Sequence, residues 1–175
     1  PLWSRGLGDV YKRQKVGKPT SRIVVIYPGR FQPFHLGHAS VYNSLKKQFP
    51  GAEVVIATSD KTDPVDSPFT FEERKSMIVA SQVDPEAIQK AVNPYLAKEI
   101  LAKYDPANTI AIFAVGGKDM IGAGARFKFG LKKDGTPTYY QPFKTVNDCV
   151  TSDKHGYIVT APTLNFKVLG KPVTG

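Results

Sequence analysis

At 175 residues, with 41% apolar and 22% charged side chains, the chain has the size and composition of one soluble globular domain with a real core. No apolar run approaches the roughly 20 residues of a membrane span, no apolar signal-peptide stretch follows the early basic residues, and the lone Cys149 excludes an internal disulfide, which suits a reducing cytoplasm. Of the net charge of +9, close to half lies in residues 1–20 (Arg5, Lys12, Arg13, Lys15 and Lys18 against Asp9); the rest forms neither an arginine-rich tract nor a basic and aromatic stripe, so small polyanions are favoured over nucleic acid.

Residues 1–14 (PLWSRGLGDVYKRQ) show neither helical nor strand periodicity and resemble a translated adaptor sequence. Residues 1–20 are therefore expected to stand outside the domain, 1–14 as an artefact, with the domain itself over 21–175. Residues 23–27 (IVVIY) are a continuous apolar, β-branched run, the pattern of a strand buried on both faces. After a loop over 28–34, a helix is expected over 36–48, with Val41, Leu45 and Phe49 on one face and Pro50-Gly51 as its stop. Residues 54–58 (VVIAT) form a second buried strand. Thr70 and Glu73 then spell a capping box, opening a helix that reaches Ser81.

A short strand over 87–92 comes next, followed by a helix opened by Pro94, with Leu96, Ile100, Leu101 and Tyr104 as its apolar positions. Residues 110–115 (IAIFAV) are another strand, ending in Gly116-Gly117-Lys118-Asp119. Residues 126–155, broken by Gly130, Gly135, Pro137 and Pro142, read as an irregular excursion or a small hairpin, and 157–160 as the last strand. Buried strands alternating with helices imply an α/β fold: a parallel sheet with right-handed crossovers and helices on both faces. Ligands of such sheets bind beyond the carboxyl ends of the strands, where the two unusual loops, after Tyr27 and after Val115, are expected to lie.

The first of these loops carries the chemistry. Gly29 admits close approach of a ligand to the backbone, and the loop feeds a helix start whose free N–H groups and dipole attract phosphate. His35 and His38, three residues apart, point the same way at that start, Gly37 removes bulk between them, and Arg30 adds a permanent cation. This set suits binding a triphosphate and stabilising charge that moves onto leaving pyrophosphate, by positioning and electrostatics without a protein nucleophile. A zinc pair would need His155 and Cys149 as well, and no dedicated metal cage is legible.

The stretch GRFQPFHLGH (residues 29–38) resembles the HxGH motif region of the nucleotidylyltransferase superfamily, and its longer form is most similar to archaeal-type nicotinamide-mononucleotide adenylyltransferases, with relatives in phages. SPFTFEER (67–74), the Gly117-Lys118-Asp119 step and GYIVTAP (156–162) resemble further segments of the same enzymes, in the same order. The resemblance implies a Rossmann-like fold, with His35 and His38 on the triphosphate, backbone around Gly29, Arg30 and Phe31 on phosphate and nucleoside, and Gly117 and Asp119 near the nucleotide. Asp119 is equally readable as a helix-cap acid, Arg74 as a phosphate contact or a helix-face ion pair, and Lys61 as a contact to the acceptor phosphate or a solvated lysine. The family's late Ser/Thr-rich motif ending in arginine would only begin at Thr174-Gly175, so the domain is read as truncated at its C-terminus.

The implied reaction is transfer of a nucleotidyl group, with ATP and nicotinamide mononucleotide giving NAD as the favoured pair. The alternatives are a cytidylyltransferase using CTP or another adenylyltransferase, with phosphocholine, glycerol phosphate or phosphopantetheine as acceptor, or a nucleotide sensor without catalysis. Mg2+ is expected with the triphosphate. Partners are small molecules rather than membranes or nucleic acid, and a homo-oligomer is left open.

Overall fold

The computed structural model describes residues 21–120, 126–162 and 166–173; the expectations for residues 1–20 lie outside them. The β-branched runs become central strands: β1 (Arg22–Pro28), β2 (Glu53–Thr58) and β4 (Thr109–Val115) are buried along most of their length. With β3 (Ile88–Lys90), β5 (Tyr140–Pro142) and β6 (Gly156–Thr160) they form a six-stranded sheet in the order β3-β2-β1-β4-β6-β5, every neighbouring pair parallel.

Alternate residues of each strand serve opposite faces. Val25, Ile56 and Ile112 share one core with Leu45 of α1 (Leu36–Gln48) and Ile78 of α2 (Phe71–Ala80). Val24, Ile26 and Phe113 share the other with Ile100 of α3 (Lys98–Leu101) and with Phe127. Helices thus cover both faces, and the Rossmann-like α/β expectation holds. Helix α1 keeps its expected bounds: Val41, Leu45 and Phe49 are buried, Lys46 and Lys47 oppose the dipole in the last turn, and Gly51 takes a φ of 80° just beyond the end. The Thr70–Glu73 capping box opens α2 as expected.

Four local expectations need correction. The strand expected over 87–92 shortens to β3, because Asp84 caps a 3-10 turn over Pro85–Ala87 ahead of it. Pro94 does not open a helix. The Asn93 side chain accepts from Tyr95 N–H (3.0 Å), its carbonyl takes the next two amide groups, and Ala97 adopts a left-handed φ of 47°, so only the four residues of α3 are helical and Leu96 is partly exposed. The 126–155 excursion does hold a hairpin-like bridge, Leu131 to Pro137, but it also supplies β5, a parallel edge strand on β6 where the missing N–H of Pro142 is tolerated. Finally β6 is not the last strand. An antiparallel hairpin of β7 (Phe166–Val168) and β8 (Lys171–Val173) follows, turned by Leu169 and Gly170, both at positive φ as a two-residue hairpin turn requires.

Candidate active site

The chain winds from β1 outward through β2 to β3, crosses back to β4 on the other side of β1, and from there runs to the edge strand β5 before β6 returns to fill the place between β4 and β5. The reversal lies between adjacent β1 and β4, so the loops leaving their carboxyl ends flank the crevice where such sheets bind ligands. Residues 29–38 and 117–119 therefore both leave the carboxyl ends of this adjacent strand pair.

His35 is the N-cap of α1 and His38 its third residue. Each imidazole accepts a main-chain hydrogen bond: Gly37 N–H donates to His35 Nδ1 (3.2 Å) and His35 N–H donates to His38 Nδ1 (3.2 Å). The cap is reciprocal, with imidazoles in the places usually held by a hydroxyl and a carboxylate. It also fixes the tautomer, since a neutral ring whose Nδ1 accepts carries its proton on Nε2, at the far side of the ring from the helix backbone. The two rings stack with centroids 3.7 Å apart. Burial lowers the pKa of His35, and burial together with the neighbouring His35 brings that of His38 down to about 4, so both rings are neutral at physiological pH. Gly37 is buried between them.

The loop ahead of the pair is built on aromatic packing. Phe31, at a left-handed φ of 50°, places its ring edge-on to Tyr27, Phe34 and His38, at centroid distances of 5.3, 5.4 and 5.1 Å. A Cβ on Gly29 would stand 2.7 Å from Phe31 Cζ, so the glycine is required by this ring before any ligand is considered. Gly29 N–H donates to the Ala57 carbonyl (3.0 Å), and Gln32 clips the lead-in to α2 in both directions, donating to the Phe69 carbonyl and accepting from Phe69 N–H, each at 3.0 Å. Arg30 is exposed.

Arg74 is neither a surface phosphate contact nor half of an ion pair on the helix face. It is 1% exposed and donates to the carbonyls of Thr70 (3.3 Å), Arg30 (3.0 Å) and Ser59 and to Thr58 Oγ1 (2.6 Å). The reason is tertiary: α2 lies beneath the loops leaving β1 and β2, whose carbonyls need donors where no strand continues. Lys61 stays solvent-exposed and lines a cavity of about 260 Å³ with Ser59, Asp60, Lys90, Ala91 and Val92, beyond the ends of β2 and β3. Beside it Lys90 pairs with Asp60 (2.9 Å) and lies over the Phe71 ring.

Gly117 and Asp119 begin and end a 3-10 turn after β4, so Asp119 is not its N-cap. Its carboxylate accepts from Arg126 Nε at 3.0 Å, and the Arg126 guanidinium lies over the Tyr95 ring, 4.0 Å from the centroid. Sequence reasoning missed Gln32, Tyr95, Arg126 and Thr58. Only the last left a signal, being a fully buried hydroxyl at the carboxyl end of an apolar strand. Among the described residues no cluster of three or more His, Cys, Asp or Glu forms a metal cage, and no helix is long and apolar enough to cross a membrane.

The sequence profile of the cytidylyltransferase-like family matches residues 26–134, from β1 through the loop after β4. Nicotinamide-nucleotide adenylyltransferases of Saccharolobus solfataricus and Methanococcus aeolicus are similar, at 41% identity over 59 residues and 38% over 53. These stretches cover 34% of this chain and 34% of the first relative, and 30% and 31% for the second, so the chain matches about a third of their length. A solved bifunctional NMN adenylyltransferase/ADP ribose pyrophosphatase from Francisella tularensis overlays 57% of this chain and 33% of its own, at 24% identity and a TM-score of 0.44; the fold assignment rests on the topology above and not on that partial overlay. With a profile match over well more than half of the chain, covering the histidine loop and both sides of the switch point, this protein belongs to the cytidylyltransferase-like family.

Proposed function

We propose that this chain transfers a nucleotidyl group from a nucleoside triphosphate to a small phosphorylated acceptor, with ATP and nicotinamide mononucleotide as substrates and NAD and pyrophosphate as products. The observation that carries the reading is the stacked, reciprocally capped pair of neutral imidazoles at the start of α1, at the switch point of the sheet. Similarity to nicotinamide-nucleotide adenylyltransferases supports the choice of ATP and nicotinamide mononucleotide.

In this reaction an acceptor phosphate oxygen forms a bond to the α-phosphorus, the bond from that phosphorus to the bridging oxygen breaks, and pyrophosphate leaves with the electron pair. The acceptor supplies the nucleophile, so the protein supplies position and field. Charge grows on the leaving phosphates, where two Nε2–H donors and the positive end of α1 stabilise it. Burial keeps both rings neutral, and with each Nδ1 accepting a main-chain N–H the donor left to each ring is Nε2–H. Nε2 of His35 is shielded from solvent, so phosphate reaches it only after its cover shifts. Magnesium enters as part of the substrate, held mainly by phosphate oxygens as that ion prefers. Asp119 takes part in nucleotide binding after exchanging Arg126 for the ligand, and Lys61 contacts the acceptor phosphate, a role supported by its exposure at the rim of the cavity beyond β2.

The test is a paired assay: thermal shift and turnover with MgATP plus nicotinamide mononucleotide, against MgCTP plus phosphocholine. Stabilisation by ATP and NAD with pyrophosphate release is the expected result. Preference for CTP would move the protein to cytidylyl transfer. Binding without turnover would make it a nucleotide sensor.

A further inference from the structure

The buried guanidinium of Arg74 has no part in the reaction as described above, yet it joins three segments around the histidine loop. Its four acceptors are the carbonyls of Thr70, Arg30 and Ser59 and the hydroxyl of Thr58, all uncharged. Asp60, the acid that acts on it through space, is itself engaged by Lys90 and by Phe71 N–H. Burying a cation without a hydrogen-bonded carboxylate is costly, and burial accordingly pulls the arginine pKa down. A fold that needed only to satisfy carbonyls would do so more cheaply with a neutral donor.

The geometry of the bonds shows what the cation organises. In a trans peptide the C=O and the following N–H point in opposite directions. Drawing the Arg30 carbonyl onto Nη1 therefore turns Phe31 N–H away from Arg74, and drawing the Ser59 carbonyl onto Nη2 does the same for Asp60 N–H. Phe31 holds its left-handed φ of 50°, a conformation that a bulky side chain rarely takes, immediately after the anchored carbonyl. Thr58 Oγ1 also donates to the Arg30 carbonyl (3.4 Å), so β2 and α2 grip the same peptide unit.

We infer that Arg74 is the positioning residue of the phosphate loop: it fixes the Arg30–Phe31 peptide so that Phe31 N–H is presented to a bound polyphosphate, and it places beneath that loop a positive charge whose hydrogen-bond acceptors are all neutral. It touches no substrate; it acts through the backbone. The substrate part of this inference rests on the nucleotidyl-transfer reading, and the loop part does not.

The experiment compares wild type with Arg74→Lys, which keeps the charge and loses the fork, Arg74→Met, which loses both, and Thr58→Val, a mild variant that removes one acceptor. Amide hydrogen exchange is followed on peptides covering residues 29–34 and on β1, and affinities for MgATP and for inorganic tripolyphosphate are measured by calorimetry. Exchange of the loop is expected to rise about tenfold or more in both Arg74 variants while β1 is unchanged. Affinity for both polyphosphates is expected to fall by several-fold in Arg74→Lys and about tenfold or more in Arg74→Met, in that order. Unchanged loop exchange in folded variants, or exchange that rises equally in β1, would overturn the positioning role. Equal affinity losses in the Lys and Met variants would overturn the charge contribution. If wild type binds no polyphosphate, the nucleotidyl-transfer reading fails, while the exchange data still decide whether Arg74 orders the loop; where an Arg74 variant does not fold, Thr58→Val decides it.

Discussion

Acidification isolates the histidine pair, because His38 is held neutral in the folded chain and is free to protonate in the unfolded one. Its pKa is about 4 when folded against an ordinary 6.5, so the unfolded state binds more protons in the window between these values. Stability is therefore fully present above about pH 6.5 and is lost as pH falls toward 4, which is the sign for a depressed folded pKa. From about pH 7 to about pH 5 the loss from His38 is about 2 kcal/mol, approaching about 3 kcal/mol below its folded pKa. His35 acts in the same direction. With urea slopes of about 1–3 kcal/mol per molar, the midpoint should move down by about 1 M over that range. Urea titrations at several pH values on wild type and His38→Gln provide the measurement, since the variant removes the titrating ring and should flatten the profile by that amount. Parallel profiles for the two proteins would refute the depressed pKa and with it the neutral-donor account of the site.

Other outcomes follow from the same geometry. His35→Ala and His38→Ala should each lower turnover by about 10²–10³-fold in a pyrophosphate-release assay while circular dichroism stays native; rates like wild type in either would remove that imidazole from the mechanism. Gly29→Ala forces a Cβ into the Phe31 ring, which Tyr27, Phe34 and His38 confine, and should cost about 1–3 kcal/mol by chemical denaturation; a neutral result would show that the aromatic cluster yields. Asp119→Ala breaks a pair whose side chains are 49% and 27% exposed, so stability should change by less than about 1 kcal/mol, whereas calorimetry should show weakened nucleotide binding; unchanged binding would leave Asp119 as a partner of Arg126 alone.

Much of the site was legible because its signals are local. The runs IVVIY, VVIAT and IAIFAV mark buried strands by β-branching alone, and the Thr70–Glu73 pair marks a helix start three residues long. The spacing of His35 and His38 places both rings on one turn whatever the rest of the chain does. By contrast, Pro94 misled because Asn93 offered the backbone a competing turn, and β5 went unseen because a three-residue edge strand next to Pro142 has no periodicity to read.

What the sequence by itself determined is thus the chemistry available at the end of the first strand: glycine, cation, aromatic and two imidazoles ahead of a helix. Tertiary structure decided how those groups are used. The switch point exists because β4 returns to pair with β1 on the side away from β2, an event no local pattern encodes. Arg74 became a clamp and not a surface contact because it meets a carbonyl 44 residues earlier in the chain. Asp119 closes the 3-10 turn after β4 and does not cap it, and it pairs with Arg126 seven residues on. Local propensity reports the conformation of a few neighbouring residues, whereas burial and hydrogen-bond partners are set by which distant segments share a core, and only the assembled sheet determines that.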